Sequence, residues 1–355
     1  MKSERSGGLG RPAVVASVLT LVSAAALTWG LGRAQAGGAG VRQAAVAGNI
    51  TTVAGGVGGP DAGTAVSLGL GQNNLCGITY GSGALYVADS DVVREVSPQT
   101  GRLTTPVGTG TAGPLGDGGP AASAELSTCG ATLDHSGNLV IADLGGSRIR
   151  VVAASTGTFY GQAMTAGDIY TVAGTGLFGF TGEGHLATTA NLDGPSAVAV
   201  DGAGNLVIAD SGNERVRVVA ARTGTFYGRA MTVRHIYTVA GNGTFGFSGD
   251  GGAATAAELR IPQDAVVDSA GNLVITDSEN YRVRVVAAST GTFYGQAMTP
   301  GDVYTAAGNG TGGFSGDGGP ALSAELNHPQ GVAVDAAGDL LVVDVGSNRI
   351  REVAG

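Results

Sequence analysis

Asn-Leu-Val-Ile-Ala-Asp occupies residues 138–143 and returns unchanged at 205–210; Asn-Leu-Val-Ile-Thr-Asp stands at 272–277 and Asp-Leu-Leu-Val-Val-Asp at 339–344. Successive copies lie 67 residues apart. A fifth copy, Ala-Leu-Tyr-Val-Ala-Asp at 84–89, precedes the others by 54 residues, so the first repeat is shorter. A fixed period marks one array of supersecondary units, each leaning on its neighbours. No domain boundary is therefore expected inside residues 49–355.

Four strand-like runs surround each copy. In the third repeat they cover residues 197–201, 205–210, 215–219 and 236–241, designated positions a, b, c and d. They are rich in β-branched residues and are separated by Gly-Ala-Gly and Ser-Gly-Asn turns, the pattern of antiparallel hairpins. The chain has 65 glycines and only 5 % aromatic residues, which fits many tight turns between short strands. Small four-stranded sheets that bury their faces only against one another predict an all-β fold, a β-propeller. Runs of type d begin at Ile50, Leu103, Ile169, Ile236 and Val303, and a, b and c also occur five times, giving five blades. The alternative is an open or six-bladed ring. Because the first d run, at 50–55, precedes any a run, it is expected to pair with the terminal a-b-c set at 331–354 and remove the open edge.

Pro329-Gln330-Gly331-Val332-Ala333-Val334-Asp335, followed by Gly338-Asp339-Leu340, Asp344 and Asn348-Arg349-Ile350-Arg351, resembles the NHL repeat. The Gly-Phe-Ser-Gly-Asp-Gly-Gly-Pro-Ala loop at 313–321, with Ala for Pro at 246–254, looks like the NHL repeats of teneurins and of secreted bacterial proteins. The resemblance spans nearly all of the chain after residue 36 and implies the propeller. It says little of function, because relatives of this architecture include RNA binders, protein-binding scaffolds and an amidating lyase. The lyase resemblance implies a metal held by histidines from several blades. Here His135, His185, His235 and His328 each occupy a different place in the repeat, so equivalent ligands are not expected.

Lys2, Arg5 and Arg11 precede an Ala/Val/Leu-rich stretch ending near Ala34-Gln35-Ala36, the pattern of a secretory signal peptide over residues 1–36. Residues 37–48 then form a flexible lead. Secretion is expected, with an uncleaved membrane anchor as the alternative. Removing residues 1–36 leaves 15 arginines and no lysine against 27 acids, a net charge of −12. Such a balance speaks against nucleic acid, which needs clustered cations, and no later segment is apolar enough for membrane insertion.

Five-fold recurrence of Asp89, Asp143, Asp210, Asp277 and Asp344 at the end of b, and of Arg94, Arg150, Arg217, Arg284 and Arg351 in c, points to scaffold. The c–d excursions carrying Phe159 and Tyr160, Phe226 and Tyr227, Phe293 and Tyr294 are expected to fold back on adjacent blades, the alternative being a sticky binding face. Asp117, Glu183, Asp250 and Asp317 occupy matching d–a positions and are weak calcium candidates; each loop brings one carboxylate, whereas calcium takes six to eight oxygens. No other cofactor is expected.

Residues at the start of a should line one mouth of the channel, and there the repeat breaks. Cys76 and Cys129 are equivalent in neighbouring blades and are disulfide candidates in an oxidising compartment. Ser196, Gln263, Asp264 and Gln330 are the ligand-binding candidates. Asp264 replaces the small residue of the other blades, and a buried carboxylate must either meet an arginine or face a wet mouth. The expected function is a secreted, non-catalytic propeller that binds a protein, glycan or small ligand. The alternatives are a lyase or lactonase with a metal at the channel mouth, or a structural module of a wall-associated assembly.

Overall fold

The stretches between glycine turns are strands, and successive strands pair into small antiparallel sheets. The structure is a computed structural model and describes residues 75–97 and 99–355. Blade 1 comprises Leu75–Gly81, Ala84–Asp89, Val92–Val96 and Leu103–Val107. Blade 2 comprises Thr128–Leu133, Leu139–Asp143, Arg148–Val152 and Asp168–Ala173. Blade 3 follows with Pro195–Val200, Leu206–Asp210, Arg215–Val219 and Ile236–Ala240, and blade 4 with Pro262–Val267, Leu273–Asp277, Arg282–Val286 and Asp302–Ala307. Among the described residues blade 5 has three strands, Pro329–Val334, Leu340–Asp344 and Arg349–Val353. The result is an all-β, five-bladed propeller in which the a strands stand side by side along the channel.

Both faces of the b and c strands are apolar because both are covered. In blade 3, Leu206 and Ile208 pack with Val140, Ala142, Ile149 and Val151 of blade 2, while Val207, Ala209, Val216 and Val218 pack with Leu273 and Ile275 of blade 4. Each Val, Leu or Ile among them removed from water contributes about 1.5–3 kcal/mol. At the equivalent of Ala209 and Val216, blade 5 exposes Val343 and Ile350, while in strand a blade 1 exposes Ile78 at the equivalent of Val198. The expected closing run at 50–55 lies outside the described residues, as do the signal peptide, the lead and the side chain of Cys76.

In blades 2, 3 and 4 the recurrent Asp and Arg form a buried scaffold. Arg150, Arg217 and Arg284 have no exposed surface and stand 3.5, 3.5 and 3.7 Å from Asp143, Asp210 and Asp277. Their Nη1 groups donate to the carbonyls of Glu125, Asn191 and Glu258, and the aspartates accept the backbone N–H of Ser127, Asp193 and Arg260. Each pair thus fastens the incoming d–a loop to its blade. Phe180 lies over Arg215 and Arg217, Phe247 over Arg282 and Arg284, and Phe314 over Arg349 and Arg351, with guanidinium-to-ring distances of 3.7–5.2 Å.

The aromatic excursions form two-stranded hairpins, such as Gly157–Phe159 with Gln162–Met164. They fold back as expected. Tyr160, Tyr227 and Tyr294 donate to Asp134, Asp201 and Asp268 in the a–b turns of their own blades, and Phe159 packs into the seam with blade 3. Burial and the adjoining carboxylates hold these phenols well above their ordinary titration range.

Strand a begins at Pro195, two residues before the point read from the alternation. Every blade has a register shift here: Leu75/Gly77, Thr128/Gly130, Pro195/Ala197, Pro262/Asp264 and Pro329/Gly331. The residue inside each shift is a β-bulge, which breaks the alternation and re-aims a side chain.

Candidate ligand-binding mouth

The bulges place Cys76, Cys129, Ser196, Gln263 and Gln330 at equivalent points near one end of the channel. Inner strands approach so closely there that side chains are nearly excluded. A Cβ on Gly130 would lie 3.0 Å from the backbone of Ser196 and Ala197, and one on Gly77 would lie 2.6 Å from the Cys129 carbonyl. Asp264 occupies the position of Gly77, Gly130, Ala197 and Gly331.

Asp264 fits because its carboxylate bridges two blades. Oδ1 accepts the Ala265 N–H at 2.8 Å and Oδ2 accepts the Val332 N–H of blade 5 at 3.1 Å. Among the described residues no arginine pairs with it. Desolvation by the surrounding strands pushes its carboxyl up to about 6, against the lowering effect of the two N–H groups. Of the two expectations for this carboxylate, the arginine partner is absent among these residues and backbone amides take its place.

The other candidates divide. Ser196 is buried and committed to structure: its hydroxyl meets Ser211 at 2.5 Å and donates to the Gln263 carbonyl at 2.6 Å. Thr276 donates likewise to the Gln330 carbonyl at 3.0 Å. The side-chain amides of Gln263 and Gln330 make no hydrogen bond among the described residues, and Gln330 is exposed. Gln263 and Gln330 therefore carry amides with no partner among the described residues beside the half-buried Asp264, with Ser196 as a support behind them.

A second cluster at the same end was not singled out from sequence. Glu279 stands where blades 2, 3 and 5 have Gly145, Gly212 and Gly346, and it faces Arg260 at 3.9 Å and His328 Nδ1 at 3.1 Å. Tyr281 meets the His328 ring edge-on at 5.1 Å, and Arg260 covers Phe245 at 4.4 Å. Ile261 and His328, before the two bulges, take φ of 49° and 51° where blade 3 uses Gly194. Left-handed backbone in a β-branched residue carries a steric cost and is held only by its surroundings. The detectable signal was Glu279 at a glycine position of the repeat.

The calcium candidates are already engaged. Asp117 meets Arg150 at 2.8 Å, Asp250 meets Arg284 at 2.8 Å, Asp317 meets Arg351 at 2.7 Å and Glu183 meets Arg229 at 2.6 Å. Among the described residues no group of three or more His, Cys, Asp or Glu is arranged to hold a metal, and no helix is long and apolar enough to cross a membrane.

The NHL repeat family model matches residues 259–286 and 326–352, which cover strands a, b and c of blades 4 and 5. No curated protein matches it. A solved structure of a Bacteroides thetaiotaomicron protein of unknown function is 17 % identical, with a TM-score of 0.48 over 86 % of this chain and 75 % of that one. An auxiliary nutrient binding protein from the same organism is 15 % identical, with a TM-score of 0.46 over 79 % and 69 %. Virginiamycin B lyase from Staphylococcus aureus is 11 % identical, with a TM-score of 0.40 over 79 % and 70 %.

Proposed function

We propose that this propeller of NHL repeats is an exported, non-catalytic binding module whose ligand sits at the mouth over blades 4 and 5. One observation carries the reading: Asp264 stands in a ring of Gly and Ala, next to two glutamine amides with no partner among the described residues. Two of its lone-pair directions are taken by backbone N–H groups, leaving acceptor capacity for a ligand. An acceptor flanked by amides suits a ligand rich in hydroxyl or amide groups, such as a glycan or an extended peptide.

The test is capture on a glycan array and from culture supernatant, comparing the natural protein with an Asp264→Ala, Gln330→Ala double variant. Loss of capture with a melting temperature near that of the natural protein is expected. Equal capture by the folded double variant would overturn the mouth as the binding site.

A further inference from the structure

The sister copies show a second, independent break at the opposite end of the blades, where the a–b turns and c–d hairpins lie. Blade 3 enters strand d through Thr232-Val233-Arg234-His235, whereas blades 2 and 4 use Thr165-Ala166-Gly167-Asp168 and Thr299-Pro300-Gly301-Asp302. Arg234 has φ of 64°, at the place where Gly167 and Gly301 have 82° and 81°. An arginine there carries a steric cost that glycine does not. Observed strain of this kind points toward function.

The side chain reaches the neighbouring blade's hairpin, over a turn glycine common to all three hairpins. A Cβ at Gly161, in the blade 2 hairpin, would collide with the Arg234 guanidinium, while at the sister positions Gly228 and Gly295 a Cβ would meet nothing within 4 Å. Across the same seam His135 replaces Gly202, Ser269 and Ala336 of the other turns and leans to 3.9 Å from where a Cβ on Gly204 would be. Both residues are exposed, and the Arg234 side chain makes no ion pair or hydrogen bond among the described residues.

Arg234 and His135 flank one cavity of about 360 Å³ between blades 2 and 3, whose inner wall is apolar: Phe159, Val172, Val200 and Val219. Asp134 also borders it, but its carboxylate is saturated by Ser136 N–H, Asn138 N–H, Asn138 Nδ2 and the Tyr160 hydroxyl. We propose that this cavity binds a small carboxylate with an apolar body, the carboxylate on Arg234 and His135 and the body against the Phe159 wall. Arginine is suited to the role because its fork presents paired donors to a carboxylate. The site does not depend on the mouth, so either can fail alone.

Benzoate is the probe, with benzamide and acetate as controls for charge and for the apolar body, followed by NMR titration of the natural protein. Saturable benzoate binding is expected, at least tenfold tighter than either control. Arg234→Gly, the residue of both sister blades, should weaken benzoate at least tenfold while leaving the melting temperature unchanged or higher. His135→Gly should weaken it severalfold. Benzoate binding no tighter than benzamide, no saturation, or full affinity in Arg234→Gly would overturn the proposal. A lowered melting temperature in Arg234→Gly would overturn it as well, by making the guanidinium a part of the fold.

Discussion

Replacing Asp264 by Ala should change stability by an amount that depends on pH. In the folded protein the carboxyl titrates at about 6 against an ordinary 3.8, because the strands strip its water and only two N–H groups replace it. A folded value above the unfolded one means that the folded state holds the proton more tightly. Stability from this group therefore rises as pH falls through 6 and levels off below 3.8. Between about pH 7.5 and about pH 4.5 the gain is about 2 kcal/mol. At the higher pH the substitution removes a desolvated charge that costs about 3 kcal/mol. It also strands the N–H groups of Ala265 and Val332, at about 1–3 kcal/mol each, so the two effects nearly offset. At the lower pH the natural protein has already shed the charge, and the variant should be about 2 kcal/mol worse relative to it than at neutral pH. Urea unfolding followed by circular dichroism at both pH values reads the difference. Asp210 and Asp277, also raised by burial, titrate in both proteins and cancel. A stability difference equal at the two pH values, or greater at the higher one, would refute the desolvation of Asp264.

Arg284→Met should cost about 3–5 kcal/mol in urea unfolding, since it leaves Asp277 buried without its cation and strips the carbonyls of Ser248 and Glu258; a loss under about 1 kcal/mol would mean the pair is dispensable. Chelation by EDTA should leave the melting temperature unchanged, because Asp117, Asp250 and Asp317 already hold arginines; a fall of several degrees would assign them to calcium. We expect Cys76 and Cys129 to be cross-linked, a reading supported by the close backbones of Gly77 and Cys129; two titratable thiols in the denatured, unreduced protein would contradict it.

What was legible in the sequence is whatever repeats. The Leu-Val-Ile-Ala-Asp run announces strand b because all its side chains are buried, its alternate residues facing different neighbours, and five copies give five blades. The Asp–Arg scaffold was legible for the same reason. The start of strand a was not, because a bulge adds a residue and the alternation fails where the mouth is built. Asp264 was visible as a lone acid among small residues, but its partners were not: Val332 lies 68 positions away and contributes only a backbone N–H, which leaves no mark on composition. Ser196 was read as a ligand contact, yet its hydroxyl is consumed by Ser211 and Gln263, a fact decided by the packing of adjacent blades.

Internal repetition also supplies a control that a unique fold lacks. Gly167 and Gly301 show that the turn entering strand d closes without a side chain, so Arg234 is not needed for the turn itself. Gly145, Gly212 and Gly346 show the same for Glu279. In an array where each blade contacts only its neighbours, such replacements disturb one seam and leave the rest intact. That locality lets strained or charged residues persist at single positions, and it makes the sister residue the natural substitution for testing each one. The two breaks fall at opposite ends of different seams, blades 2 and 3 for Arg234 and His135, blades 4 and 5 for Asp264 and Glu279. Reverting Arg234 to Gly should therefore leave any capture at the mouth unchanged, and removing Asp264 should leave benzoate binding unchanged; coupling between the two would mean that the blades do not act as independent seams.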